Sequence, residues 1–107
     1  MRRSALVVTA ALLVPSLAGA EESVRVREGR RLAAEFCSPC HAVGKTDASA
    51  HPAAPAFRLL EQRVDLDDVR RRLRGGLFAG HADMPQFKMT REQARAMHAY
   101  LRSIQGP

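Results

Sequence analysis

The first stretch in which apolar positions recur at helical spacing covers residues 27–36. Its apolar face consists of Gly29, Leu32, Ala33 and Phe36. This pattern, in which apolar residues follow one another at intervals of three and four, predicts an amphipathic helix. A glycine inside a helix costs about 1 kcal/mol relative to alanine. We therefore expect another helix to pass close to Gly29.

Two further helices are predicted in the second half of the chain, and each begins with a capping signal. Asp65 precedes a helix whose apolar face is Leu66, Val69 and Leu73, and two glycines, at positions 75 and 76, end it. Residues 90–93 have the sequence of a capping box, TREQ, and they begin the last helix. The apolar face of that helix is Ala94, Met97, Leu101 and Ile104.

The segments between these helices lack apolar periodicity. Residues 42–56 contain one glycine and two prolines, and residues 77–88 are again irregular, so both are predicted to be loops. A short helical turn is expected over residues 57–62. No stretch alternates between apolar and polar residues as a strand would. The sequence therefore predicts an all-α domain with long loops.

The amino terminus has the organisation of a secretory signal peptide. Two arginines precede an apolar run over residues 5–14, and Ala18-Gly19-Ala20 has the small-residue pattern of a cleavage site. The run is about half as long as a bilayer span, and Pro15 favours cleavage over an uncleaved anchor. We expect residues 1–20 to be a signal peptide cleaved after Ala20, and residues 21–107 to be one periplasmic domain without a stable membrane span.

Removal of the signal peptide leaves 87 residues that are short of large apolar side chains. Only 36 of them are apolar, and 13 of those 36 are alanine. A chain of this size excludes a multidomain enzyme. Small domains with so little core usually need a disulfide, a metal or a bound cofactor. The composition therefore raises the question of what completes the core.

The two cysteines supply a candidate answer, because they form the motif Cys37-Ser38-Pro39-Cys40-His41. C-x-x-C-H is the attachment signature of a c-type haem. Each thiol adds to one vinyl group of the haem, and the adjacent His41 reaches the iron as the proximal ligand. The motif predicts one covalent haem c per chain.

Other interpretations of the cysteine pair fit the sequence less well. A single disulfide is one alternative for an exported chain with two cysteines. A thioredoxin-like redox pair requires a surrounding βαβ pattern, which the sequence does not show. A structural zinc site requires about four cysteine or histidine ligands, and no second pair with suitable spacing follows.

A six-coordinate haem needs a second axial ligand, and methionine and histidine are the usual choices. Met1 leaves with the signal peptide, Met97 lies on the apolar face of the last helix, and Met89 directly precedes the capping residue of that helix. Met84 lies in a polar loop, and Pro85 biases its backbone toward an extended conformation. We therefore predict Met84 to be the second ligand.

The remaining histidines are alternatives to Met84. His81 lies three residues before Met84 and is the strongest competitor. His51 lies in the proline-containing loop, and His98 lies beside the apolar face of the last helix. For all three, a surface position or an ordinary polar partner is the favoured interpretation.

Taken in order, these motifs resemble the small class I bacterial c-type cytochromes over essentially all of residues 21–107. The resemblance rests on Gly29, Cys37-x-x-Cys40-His41, Ala54-Pro55, Met84-Pro85-x-Phe87 and Ala99-Tyr100-Leu101. It implies three to five helices packed around one covalently bound haem. It also implies that the first and last helices cross at Gly29 and Tyr100. The aromatic residue that the family usually has four positions before the first cysteine is replaced by Ala33.

The resemblance also assigns roles around the haem. It implies that a proline carbonyl accepts the Nδ1–H of His41, with Pro55 preferred over Pro52, and such a bond orients the imidazole and raises its basicity. It gives Met84 and His41 as the iron ligands and suggests Arg58 as a partner of a haem propionate.

The implied function is transport of single electrons between redox partners by cycling of Fe(III) and Fe(II), without enzymatic activity. One alternative is a haem subunit of an exported dehydrogenase or oxidase. Another is a peroxidase or gas-binding protein with an open iron site.

The charge of the mature chain is +4, because two arginines leave with the signal peptide and reduce the +6 of the whole chain. A positive surface favours partners with acidic docking surfaces, and nothing in the sequence indicates nucleic-acid binding. The arginines over residues 70–74 have two interpretations. They are either a docking site or a solvated helix end that complements the helix dipole, and the dipole is preferred.

Overall fold

The computed structural model describes residues 4–14, 17–76 and 83–107. Four helical elements lie within these residues: α1 (Leu17–Phe36), a 3-10 helix (Phe57–Gln62), α2 (Leu66–Gly75) and α3 (Arg91–Ile104). The described part of the chain contains no β-strand. The predicted all-α class is confirmed.

Helix α1 begins at Leu17, ten residues before the predicted start at position 27. The sequence prediction was wrong here because it interpreted the charged residues after position 20 as a polar lead. Residues 20–28 contain neither glycine nor proline, and Val26 packs against the core. Charged side chains with good helix propensity therefore extend the helix where no apolar stripe marks it. Cleavage after Ala20, within α1, stays a prediction.

The capping signals of α2 and α3 act as the sequence predicted. The Asp65 carboxylate accepts hydrogen bonds from the backbone N–H groups of Asp67, at 2.7 Å, and Asp68, at 3.0 Å. Thr90 and Gln93 form the reciprocal capping box, with distances of 3.0 and 3.1 Å. Gly76, with φ at +90°, ends α2 in a conformation that other residues rarely adopt.

Helix α3 is the central element of the core, because it packs against α1, α2 and the 3-10 helix. The two largest fully buried side chains are Leu32 of α1 and Leu101 of α3. Met97 is 2% exposed, which agrees with the packing role predicted from its position on the apolar face. The remaining core residues are Ala33, Phe57, Leu66, Leu73, Met89, Ala94, Ala96, Tyr100 and Ile104.

The predicted close approach at Gly29 is confirmed. A Cβ atom at this position would lie 2.0 Å from the carbonyl oxygen of Ala96 and 2.6 Å from the Cβ atom of Tyr100. Helices α1 and α3 are therefore in direct contact at Gly29, and the missing side chain is what allows it.

The loops differ in how much of them is described. Residues 42–56 contain no helix, as predicted. Of the second loop, residues 77–82 lie outside the described residues, and residues 83–90 are non-helical. Within the described ranges, no helix is both long enough and apolar enough to cross a membrane.

Candidate functional site

The cysteine motif lies at the carboxyl end of α1 and continues its winding. The backbone N–H of Cys37 donates to the carbonyl of Ala33 at 2.9 Å, and the carbonyl of Cys37 accepts from Cys40 at 3.2 Å and from His41 at 2.9 Å. The five-residue motif is therefore a compact turn rather than an extended segment. Two cysteines separated by three positions in such a turn lie on the same side of it.

His41 is held in a defined orientation by a backbone carbonyl. Its Nδ1 atom lies 2.8 Å from the carbonyl oxygen of Pro55. Because a carbonyl only accepts hydrogen bonds, Nδ1 carries the proton in this contact, and in the neutral imidazole the lone pair is then on Nε2. The described part of the chain gives Nε2 no hydrogen-bond partner. The neutral imidazole is thus in the tautomer that binds iron through Nε2.

An aromatic ring supports the same imidazole. The rings of His41 and Phe57 have centroids 4.9 Å apart and planes inclined by 41°. Phe57 is buried at the start of the 3-10 helix, and its carbonyl accepts a hydrogen bond of 2.6 Å from the Gln105 side chain. The chain beyond α3 therefore helps to fix the ring against which His41 packs.

The loop that carries Pro55 is closed by backbone hydrogen bonds at both ends. Phe57 N donates to Ala42 O at 2.9 Å, and His51 N donates to Cys40 O at 3.1 Å. These bonds return the chain to the cysteine motif after the irregular segment 42–56. The carbonyl that meets His41 is consequently that of Pro55 and not that of Pro52.

Several residues that stabilise this loop were missed by the sequence analysis. The Asp47 carboxylate accepts from the backbone N–H groups of Val43 at 3.0 Å and Gly44 at 2.9 Å, and Ser49 accepts from Ala42 at 2.9 Å. A short polar side chain three or four residues after the amide that it binds is a known turn signal. The sequence contains Asp47 at this spacing, but it does not show which backbone amides the carboxylate binds.

Arg58 forms a hydrogen bond within the protein, in addition to its suggested role as a partner of a haem propionate. Its guanidinium donates to the backbone carbonyl of Asp47 at 2.8 Å. The side chain therefore links the 3-10 helix to the loop, and its role toward a haem propionate stays a prediction.

Met84 lies in a segment that two contacts join to the cysteine motif. The rings of Phe36 and Phe87 have centroids 5.9 Å apart. His51 Nε2 lies 3.2 Å from a carboxylate oxygen of Asp83. Met84 itself is partly buried. The residues on either side of Met84 therefore contact residues on either side of the motif, although the two are more than 40 positions apart in sequence.

The histidines proposed as alternatives to Met84 have different surroundings. His51 is engaged with Asp83, and its Nδ1 accepts from the backbone N–H of Ala53 at 3.0 Å. His98 of α3 bonds to Asp67 of α2 at 2.7 Å. Both have the polar partners that the sequence analysis favoured. His81 lies outside the described residues.

The two cysteines do not have the features of a thiol–disulfide redox centre. Cys37 and Cys40 are both free and both partly buried. Burial raises the pKa of the Cys37 thiol to about 11. A thiol–disulfide redox centre needs the opposite shift, because the thiolate is the reactive form. Among the described residues, moreover, no three His, Cys, Asp or Glu side chains come together to hold a metal ion.

Two thiols in one turn, an oriented imidazole with an available Nε2, and a methionine brought to the same region form a donor set that fits a covalent haem. A family model of cytochrome c matches residues 26–105. The chain belongs to the cytochrome c family. This membership accounts for the helical fold of the described residues and makes the protein a small bacterial c-type cytochrome of class I, whose domain binds haem c covalently.

A cytochrome relative supports the same assignment. The chain is similar to cytochrome c-552 of Bradyrhizobium diazoefficiens, with 29% identity over 93 residues, which cover 87% of this chain and 88% of that protein. No solved structure matches the chain. The family and this relative together establish a haem electron carrier.

Proposed function

We propose that this protein is an exported monohaem c-type cytochrome that carries single electrons between redox partner proteins and has no enzymatic activity. The observation that carries the proposal is the 2.8 Å contact between the Pro55 carbonyl and Nδ1 of His41, which is the last residue of the C-x-x-C-H turn. This contact prepares Nε2 of His41 for a metal, and the neighbouring cysteines give the two covalent attachment points.

The cofactor in this proposal is one haem c, attached through Cys37 and Cys40, with His41 and Met84 as its axial ligands. Bound haem supplies the one-electron chemistry by alternating between Fe(III) and Fe(II). The Pro55 carbonyl and Phe57 hold the His41 ring in place. The Met84 segment is held by the contacts of Asp83 with His51 and of Phe87 with Phe36, the residue directly before the cysteine motif. A thioether ligand gives a higher reduction potential than a second imidazole would.

A matched pair of methionine variants tests the assignment of Met84. We expect Met84→Leu to change the visible spectrum of the haem-loaded protein and to allow carbon monoxide to bind the reduced form, because one coordination position becomes open. Met97→Leu is the control, since Met97 is buried in the core and the two side chains have similar volume. An unchanged spectrum in Met84→Leu, with a changed one in His81→Ala, would transfer the role to His81.

Covalent attachment is tested on the denatured protein. We expect peroxidase staining of haem to survive denaturation in the wild-type protein and to disappear when both Cys37 and Cys40 are replaced by serine. Free haem washes out of a denatured chain, whereas a thioether-linked haem does not. Absence of stain from the wild-type protein, produced in cells that mature c-type cytochromes, would refute the proposal.

Export through a signal peptide over residues 1–20 is the second part of the proposal. Sequencing of the amino terminus of the periplasmic protein should find Glu21 as the first residue. We expect Ala20→Leu to block cleavage, because a large side chain does not suit the small-residue site, while Ala10→Leu within the apolar run should not. A product that starts elsewhere would contradict cleavage after Ala20.

Docking of acidic partners is the third part, and the mature charge of +4 supports it. Charge attraction accelerates encounter and is screened by salt. The rate of electron transfer with a purified redox partner should therefore fall as ionic strength rises. A rate that is independent of salt would contradict acidic docking while leaving the haem assignment intact.

A further inference from the structure

A cleft between α2 and α3 is lined by five arginines and lies outside the proposed haem site. The cleft has a volume of about 230 Å³, and its lining residues are Arg70, Arg71, Arg74, Arg91 and Arg95. Three of them come from α2 and two from α3. The sequence shows the first group as a cluster but gives no sign that the second group faces it.

Helix geometry explains why these side chains converge. Arg70 and Arg74 are four positions apart on α2, and Arg91 and Arg95 are four positions apart on α3, so each pair lies on one helix face. A backbone hydrogen bond of 2.8 Å from Met89 N to Leu73 O ties the end of α2 to the start of α3. The two arginine pairs therefore belong to helix segments that the fold holds together.

The positive charge in the cleft is largely uncompensated. Asp68 accepts from Arg71 at 3.2 Å and from Arg72 at 2.8 Å. In the described part of the chain, the other four arginines of the cleft form no salt bridge. Like charges four positions apart on a helix destabilise it by a few tenths of a kcal/mol. Both arginine pairs thus oppose folding unless an anion offsets their repulsion.

The helix dipole explains only half of this arrangement. Arginines near the end of α2 complement the negative end of its dipole. Arg91 is the first residue of α3, where the dipole is positive and disfavours a cation, and Arg95 in the second turn gains nothing from the dipole. The same positive end favours an anion. The dipole explanation preferred from the sequence concerned only the arginines over residues 70–74, and it does not extend to those of α3.

We propose that this cleft is a binding site for a multivalent phosphate anion, that is, a ligand with two or more phosphoryl groups. A guanidinium group binds a phosphate through two parallel hydrogen bonds, and several such groups bind it more strongly than scattered lysines do. The site is concave and small, so it suits a short chain of phosphates better than the convex surface of a folded protein. The phosphates belong either to a free polyphosphate or to an anionic lipid headgroup.

Calorimetric titration of the haem-loaded protein with inorganic tripolyphosphate, at fixed ionic strength, tests the site. We expect saturable binding with one ligand per chain. Arg91→Gln with Arg95→Gln should weaken binding by at least about tenfold, because two charge-assisted contacts are lost. Arg27→Gln with Arg63→Gln is the matched control, since these exposed arginines carry the same charge outside the cleft. Equal losses in both double variants, or no saturable binding, would overturn the proposal.

A second double variant tests whether the site needs the planar guanidinium groups or only their positive charge. Arg91→Lys with Arg95→Lys keeps the net charge but removes the planar donor pairs, so binding should still weaken clearly. A glutamate oligomer of equal charge should bind less tightly than tripolyphosphate. Full affinity in the lysine variant, or equal affinity for the glutamate oligomer, would show that the cleft attracts anions without selecting phosphate and would overturn the proposal.

Vesicle binding distinguishes the two sources of phosphate. If the ligand is a lipid headgroup, the protein should sediment with vesicles of an anionic phospholipid that carries two phosphates but not with phosphatidylcholine, and tripolyphosphate should displace it. If the ligand is a free polyphosphate, tripolyphosphate should bind while the vesicles do not compete. Either result supports the phosphate site, and the loss of both in the wild-type protein contradicts it. Because the haem stain and spectrum are independent of these measurements, failure here leaves the proposed electron carrier standing.

Discussion

A methyl group at position 29 would occupy space that α3 already fills, so Gly29→Ala is a direct test of the helix crossing. The new Cβ atom would lie 2.0 Å from the Ala96 carbonyl oxygen, 2.6 Å from the Tyr100 Cβ atom and 2.7 Å from the Ala96 carbonyl carbon. All three distances are far below van der Waals contact. The obstacles are backbone atoms and a Cβ atom, which no rotamer change removes. Helices α1 and α3 must therefore move apart.

The expected cost combines two effects of opposite sign. Alanine is favoured over glycine by about 1 kcal/mol in a helix interior. Forcing an extra carbon into a packed core typically costs 1–3 kcal/mol, and more when backbones must shift. Separation of the helices also loosens the packing of buried Leu32 and Leu101. We expect Gly29→Ala to lower the free energy of unfolding by about 2 kcal/mol, which corresponds to a fall in Tm of roughly 10 °C for a domain of this size.

The measurement is urea and thermal unfolding of the haem-loaded protein, followed by far-ultraviolet circular dichroism. Gly75→Ala is the control, because it makes the same change in α2 at a position where no described atom beyond its chain neighbours and the backbone of its own helix lies within 4 Å of the added Cβ. Its stability should stay equal to that of the wild type or rise slightly. If Gly29→Ala is as stable as Gly75→Ala, the inferred contact between α1 and α3 is wrong.

Three further predictions concern the core and one interhelical ion pair. Tyr100→Phe should lower the free energy of unfolding by about 1–2 kcal/mol, because the hydroxyl donates to the Val43 carbonyl, and an unchanged urea midpoint would contradict this contact. Leu32→Ala should cost about 2–5 kcal/mol, since the side chain is fully buried, and a smaller loss in urea unfolding would mean that the core collapses around the gap. Hydrogen bonds from His98 and then Arg102 lower the pKa of Asp67 in the folded protein, so its stabilising effect is present above the ordinary value of 3.8 and is lost as the pH falls through the folded pKa. The difference in free energy of unfolding between wild type and Asp67→Asn should therefore be larger at pH 6 than at pH 3. An equal difference at both pH values, measured by urea unfolding, would contradict the prediction.

Features that depend on neighbouring residues were predictable from the sequence. The caps at Asp65 and Thr90 require only a side-chain oxygen two or three positions before a free backbone N–H, so their spacing reveals them. The end of α2 follows from Gly76 in the same way. The cysteine motif is also local, because the whole attachment turn lies within five residues. The start of α1 was missed because a charged helix terminus carries no apolar periodicity.

Features that depend on distant residues needed the fold. The sequence required some close neighbour for Gly29, and only helix packing identifies the Ala96 backbone as that neighbour. The choice of the Pro55 carbonyl over that of Pro52 follows from the loop closure between Ala42 and Phe57. The contact between His51 and Asp83 joins two loops that are 32 positions apart, and no sequence pattern indicates that they meet.

By itself the sequence determined the helix class and the caps, and it predicted the attachment chemistry of the cysteines and His41, because each of these is encoded in side chains at most a few positions apart. The tertiary structure decided which carbonyl orients His41, which backbone Gly29 meets, and that the arginines of α2 and α3 share one cleft. The physical reason is that helical hydrogen bonds have a fixed reach along the chain. The relative placement of helices instead depends on how all their apolar faces pack together.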